Sequence, residues 1–215
     1  MKILVGSLQY SPIFKSHCCA FGKQAEKSGH AVKYLFSHKY AWMLDEDVKK
    51  KTMFFGDSDN LSRSLVDGID YRLLRAIDKF ILHECPDAIY MHNIHPLNYH
   101  IAKLARAQDI TFIQHIHEPF VKNKSAYGGF HQYFLYLFEY LQGRLLELAD
   151  VAVVSSNVAF DLFKAQYPNY SGKLILIPLM YEDFSKDTVS PEKRHYITFI
   201  GPPVPAKGPE TFLKI

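Results

Sequence analysis

Short apolar runs alternate with amphipathic stretches along most of this chain. KILV at 2–5 reads as a strand ending at Gly6-Ser7. Residues 17–28 carry a helical pattern, and Gly29 suits the left-handed position past a helix end. A second strand is expected at 32–36. The pattern from 40 to 60 is irregular, with a short strand at 53–55. At 71–84, Leu73, Leu74, Ile77, Phe80 and Ile81 share one helical face, and Pro86 stops the helix. Strands are predicted at 88–91, 111–116, 151–154 and 174–177. Helices are predicted at 96–107, 130–148 and 157–166.

Strand-helix alternation at this spacing predicts a Rossmann-like α/β fold, a doubly wound parallel sheet with helices on both faces. Parallel strands buried on both sides lack polar alternation, and ILV, AIY, VAVV and LILI fit. Ligands of such sheets sit at the carboxyl ends of the strands. That rule singles out Gly6-Ser7-Leu8, His92-Asn93, His117-Glu118 and Ser155-Ser156. Residues 1–178 read as one domain and the Pro-containing polar stretch 179–195 as a linker. YITFIGPPVPAKGPETFLKI, 196–215, reads as a strand, a loop and the start of a helix. That is too little for a core of its own, so the chain is expected to be truncated just inside a second domain.

Composition is that of a globular chain: 215 residues, 48% hydrophobic, 22% charged, formal charge +3. The densest basic run, Lys49-Lys50-Lys51, reads as a solvated helix end, so nucleic acid is not an expected partner. Cys18, Cys19 and Cys85 form neither a CxxC motif nor an even set, which fits a reducing compartment. The N-terminus lacks the apolar length of a leader, and no run approaches about 18 apolar residues. A cytoplasmic location is expected. HQYFLYLFEYL, 131–141, is aromatic nearly all round; core packing is the plainer reading. Peripheral contact with the inner face of a membrane is the sharper one.

The chemistry concentrates in FIQHIHEPFVKNK, 112–124. On a strand, His115 and His117 point the same way. Such a pair can bind zinc, with His92, His95 and His100 as further ligands, but no spacing defines the set. A metal-dependent hydrolase using His115 and His117 therefore stays an alternative. The plain reading of His115 is a buried, hydrogen-bonded side chain. Glu118, held extended by Pro119, suits a proton-transfer or hydroxyl-binding role. Lys122 and Lys124 suit an anion or are simply solvated. His92 and Asn93 suit a polyol or cap the next helix. Gly6-Ser7 offers a close backbone approach to a ligand. There is no GxGxxG fingerprint, no GxSxG elbow and no phosphate-binding GxxxxGK[ST] loop.

Several segments, in order, resemble the family-4 glycosyltransferases, which have the GT-B fold. KSGHAV (27–32) is similar to their "rGHeV" step, PDAIYMHN (86–93) to "pDvvhvH", and ITFIQHIHEP to "vp.v.t.H". ELADVAVVSSN (147–157) is similar to "aD.viavS", LILIPLMYEDF to "i.vIpNGvD...F", and the last twenty residues to "i.fvGRl.peKG...ll.a". The resemblance implies retaining transfer of a sugar from a nucleotide-sugar to a glycan or lipid-linked acceptor, with no cofactor and no bound metal. Residues 1–178 would be the acceptor-binding domain and 196–215 the start of the donor-binding one. It implies that His117 is the catalytic residue in the cleft. Glu118, Lys122, His92 and Asn93 would line the acceptor side. Gly6, Ser7 and Ser16 of the first loop would border the donor, with Lys207 on its diphosphate. The sequence departs from the pattern at Pro202, where the family has arginine, at SPIFKSH in place of the first loop's Gly-Gly, and at Leu179-Met180 in place of Asn-Gly. The family's paired donor glutamates would lie past residue 215. This chain alone is therefore expected to be inactive, as half of an enzyme or as one subunit of a two-chain transferase.

Overall fold

Strand β4 (Ala88–His92) is buried at every position, which requires cover on both faces of whatever sheet holds it. The computed structural model, which describes residues 1–8, 12–56, 65–117 and 131–178, provides that cover. Its other strands are β1 (Lys2–Ser7), β2 (Ala31–Ser37), β3 (Thr52–Phe55), β5 (Thr111–Ile116), β6 (Val151–Val154) and β7 (Lys173–Leu176). All pair in parallel, in the order β3-β2-β1-β4-β5-β6-β7. The helices are α1 (Pro12–Lys27), α2 (Glu46–Lys49), α3 (Tyr71–Glu84), α4 (Pro96–Ala107), α5 (His131–Leu146) and α6 (Asn157–Gln166). This is the Rossmann-like α/β fold.

Strand alternation sorts the core. Leu4, Leu35, Ile89 and Phe112 pack with Ile77 and Ile81 of α3, Ile101 and Ala105 of α4, and Leu145 of α5. Val5, Tyr34, Phe36 and Tyr90 lie on the other face with Cys18 and Cys19 of α1. Each fully buried aliphatic or aromatic side chain is worth about 1.5–3 kcal/mol. The five α3 positions expected on one face are those that meet the core.

Helix ends explain the boundaries. Asp70 caps α3 by accepting from Arg72 N at 2.9 Å and Leu73 N at 3.3 Å. Ser156 caps α6 by accepting from Ala159 N at 3.1 Å. Gly29, at φ 82°, occupies the left-handed turn after α1. Three differences from expectation have local causes. Helix α1 begins at residue 12, not 17. The stretch read as irregular holds a 3-10 turn, His38–Met43, and the single turn α2, both too short to show periodicity. Helix α5 ends at Leu146 rather than 148. The linker and second-domain start expected at 179–215 lie outside the described residues.

Gly6 also differs: it lies inside β1, not in a loop after it. A Cβ there would sit 2.8 Å from the Leu35 carbonyl oxygen and 2.9 Å from Met91 Sδ. Close packing of three strands is enough to require a glycine here. Gly6→Ala should cost about 1–3 kcal/mol of stability in urea denaturation; an unchanged midpoint would reject this packing account.

His95 caps α4 by accepting from Leu97 N at 3.2 Å through Nδ1, which must therefore be unprotonated. Burial pushes its pKa down to about 3. The unfolded chain binds that proton near pH 6.5, so the contribution of His95 to stability is present above about 6.5 and lost as pH falls toward 3. The slope is about 1.4 kcal/mol per pH unit. His95→Asn keeps a capping oxygen and should flatten the pH dependence of the urea midpoint between pH 7 and 5 by about one proton. Identical slopes in both proteins would contradict this.

Candidate functional site

The chain steps to opposite sides of β1, first to β2 and later to β4. The β1–β4 junction is therefore the topological switch point, where such sheets open a crevice at their carboxyl ends. Register places Ser7 beside His92 and His92 beside His115. All three sit on the face covered by α1. That helix adds Phe14 and His17, and His117 follows one residue past the end of β5.

Four histidines and one tyrosine gather there. The His17 Nε2 lies 2.7 Å from the Tyr90 hydroxyl, which also bonds His115 Nδ1 through a short contact. Ring centroids are 4.8 Å apart for His17 and His92, 4.7 Å for His17 and His115, and 4.3 Å for His92 and His115. The His117 ring is 6.4 Å from that of His92, and Phe14 lies against both, at 4.7 Å from His92 and 5.5 Å from His117. His17, His92 and His115 are buried; His117 is half-buried. It is the histidine of the group best placed to meet a solute.

Burial and neighbouring rings keep His92, His115 and Tyr90 neutral. Burial, then the neighbouring His115, His17 and His117, hold His92 well below the ordinary imidazole range. Burial, then His17 and His117, push His115 down to about 2. Burial raises the Tyr90 phenol well above its usual value, so it too stays neutral. Neither nitrogen of His92, nor Nε2 of His115, has a hydrogen-bond partner among the described residues.

The other expected site residues fall as follows. Ser7 is buried, with its hydroxyl 3.4 Å from that of Tyr40, and Gly6 is spent on strand packing. Ser16 lies inside α1, not in a first loop, which corrects the loop boundary. Asn93 adopts a left-handed φ of 65°. Its carbonyl accepts from Asn98 Nδ2 and Gln114 Nε2, both at 2.7 Å, and its N–H donates to the His115 carbonyl at 3.0 Å. That network fixes the turn at the rim. Glu118, Lys122 and Lys207 lie outside the described residues. His95 and His100 do not join the cluster: His95 caps α4, and His100 pairs with Asp78 at 2.6 Å.

His17, Tyr90 and Phe14 were missed. Tyr90 shares the β4 face of His92 by alternation, and Phe14, His17 and Phe21 recur at i, i+3, i+7 on α1, so the signals existed. What they lacked was a reason to be joined, since Phe21 stacks on Tyr90 at 4.4 Å only in the folded chain. A polar groove of about 460 Å³, lined by Arg106, Asp109, Asp150 and Lys173 among others, lies at the opposite, amino-terminal edge of the sheet. It is on the wrong end for the ligands of this fold.

Comparison with known proteins agrees with this topology. UDP-GlcNAc 2-epimerase from Neisseria meningitidis, bound to UDP-GlcNAc, superposes with a TM-score of 0.55 at 13% identity. The match covers 82% of this chain and 45% of that one. Arabidopsis thaliana UGT89C1 complexed with quercetin gives 0.58 at 17% identity, covering 86% and 52%. The spinosyn forosaminyltransferase SpnP gives 0.54 at 12% identity, covering 82% and 50%. This chain therefore spans about half the length of the solved structures it matches. No curated protein matches it in sequence. The pattern of Glycosyltransferase Family 4 matches residues 15–180, most of the chain and nearly all of the sheet. The chain belongs to glycosyltransferase family 4.

Proposed function

We propose that this chain is the acceptor-side, N-terminal half of a retaining glycosyltransferase that moves a sugar from a nucleotide-sugar to a glycan or lipid-linked acceptor. The observation that carries the reading is the family match over residues 15–180 in a chain half as long as its GT-B neighbours. A neighbour with UDP-GlcNAc bound supports a nucleotide-sugar as donor. In this reading the donor diphosphate is gripped by a second domain that begins near residue 196, with Lys207 as one of its cations. Glu118 and Lys122 serve the acceptor side. Gly6 and Ser7 belong to the crevice wall rather than to direct donor contact.

His117 has the role a family-4 histidine would have. It stands at the carboxyl end of β5, half-buried and next to a cluster of neutral rings. An imidazole there can hydrogen-bond a sugar hydroxyl. A hydrogen bond that tightens as charge develops on the ring stabilises the transition state more than the bound sugar. Phe14 restricts the His117 ring and presents an apolar edge beside it. The half-buried setting lowers the local dielectric, which strengthens that bond. Contact with a membrane surface, if the acceptor is lipid-linked, would use exposed Tyr136 and Tyr140 of α5.

The test is transfer by the complete enzyme from a panel of nucleotide-sugars, with the anomer of the product read by NMR. Retained configuration is expected, and the 215-residue chain alone should transfer nothing. Inverted product would reject the retaining reading. Epimerised nucleotide-sugar formed without any acceptor would reject transfer itself. His117→Ala in the complete enzyme should lower kcat about 100-fold while leaving donor binding nearly intact. Normal turnover in that variant would remove His117 from the mechanism.

A further inference from the structure

We propose that His17, His92 and His115 form a binding site for one divalent transition-metal ion of the zinc class. The inference rests on the geometry of these three side chains and not on the transferase reading, and it departs from the metal-free expectation that the family resemblance carries. One ligand atom from each residue lies within 4.8 Å of the others, and all three side chains are buried. They come from three separate elements, α1, β4 and β5. Zinc–nitrogen bonds are about 2.0–2.1 Å, so a tetrahedral ion needs its ligand nitrogens about 3.4 Å apart. Ligation therefore needs a contraction of at most about 1.4 Å, to be met by rotation of the rings.

Three buried imidazole nitrogens have no hydrogen-bond partner among the described residues, and one ion ligated through one nitrogen per ring would partner two of them, one on His92 and Nε2 of His115. Both belong-to-ring atoms of His92 are in this state, as is Nε2 of His115. A buried polar atom left unsatisfied is costly, and native interiors seldom leave such groups without a partner. A bound cation takes up a lone pair from each ring. No carboxylate belongs to the set, and imidazole suits zinc, nickel and copper rather than magnesium or calcium.

Tyr90 supplies the supporting shell. Its hydroxyl oxygen has two lone pairs and lies between His17 Nε2 and His115 Nδ1. With the His115 ring donating its Nδ1–H to that oxygen, Nε2 of His115 is the lone-pair atom that faces an ion. Outer-shell partners of this kind fix the tautomer of ligating histidines. Three ligands leave a fourth tetrahedral position for water, hydroxide or an anionic oxygen, which offsets charge in the buried site.

The experiment uses the full chain without a polyhistidine tag, expressed with added zinc, exchanged into metal-free buffer and analysed for metal. About one equivalent of zinc is expected. Cobalt added to the stripped protein should give the intense visible bands of a tetrahedral site. His92→Ala should retain less than a tenth of an equivalent, and Tyr90→Phe should bind cobalt 10- to 100-fold more weakly. His100→Ala, outside the cluster, should behave as the parent does. The cobalt spectrum of the parent decides the matter even if a variant fails to fold. Absence of both retained zinc and tetrahedral cobalt bands would overturn the proposal and leave the three nitrogens to buried water. Equal binding by parent and folded His92→Ala would overturn it too, by moving the metal to other histidines. Sugar transfer enters none of these readouts, so failure here and failure of the transferase reading are told apart.

Discussion

Parallel pairing of β4 with both β1 and β5 is the constraint on which the rest of the structure depends. Hydrogen bonds fix the register at Ser7, His92 and His115, so three residues more than twenty positions apart from one another in sequence end in one row. A one-residue slip of β5 would turn its face over, bury Gln114 under α1 and send His115 to the other side. The apolar faces resist that slip, since Phe112 and Ile116 would leave their clusters. Core packing therefore sets the chemistry of the crevice.

The crevice is polar in composition, yet its His92, His115 and Tyr90 side chains are held uncharged. Burial and mutual proximity keep His92 and His115 as neutral bases, and Tyr90 joins His17 to His115 in one hydrogen-bonded run. Only His117 combines partial exposure with membership of that group. The arrangement separates two jobs within one side-chain type. The buried rings contact one another, and the rim ring keeps part of its surface exposed. The buried set exists because α1 carries His17 toward the sheet.

Helix α1 has a further consequence for the reading of Gly6 and Ser16. The helix starts close behind β1, so residues expected in a donor-facing loop are a packed strand glycine and a helical serine. Their identities are explained by what they touch in the sheet and helix.

Hydrophobic periodicity by itself determined the element order, the parallel sheet and several element limits, including 96–107, 111–116, 151–154 and 157–166, because fully buried strands and one-sided helices write their cover directly into residue type. The strand-end rule likewise marked His92, Asn93 and His117 before any coordinates. Single-turn elements such as α2 left no trace, since one turn has no period. Sequence paired His115 with His117 because neighbours two apart share a strand face; the tertiary structure paired it instead with His17, Tyr90 and His92. That choice is made by strand register and by the height at which α1 crosses the sheet, and distances of this kind between remote segments are not encoded in any local pattern.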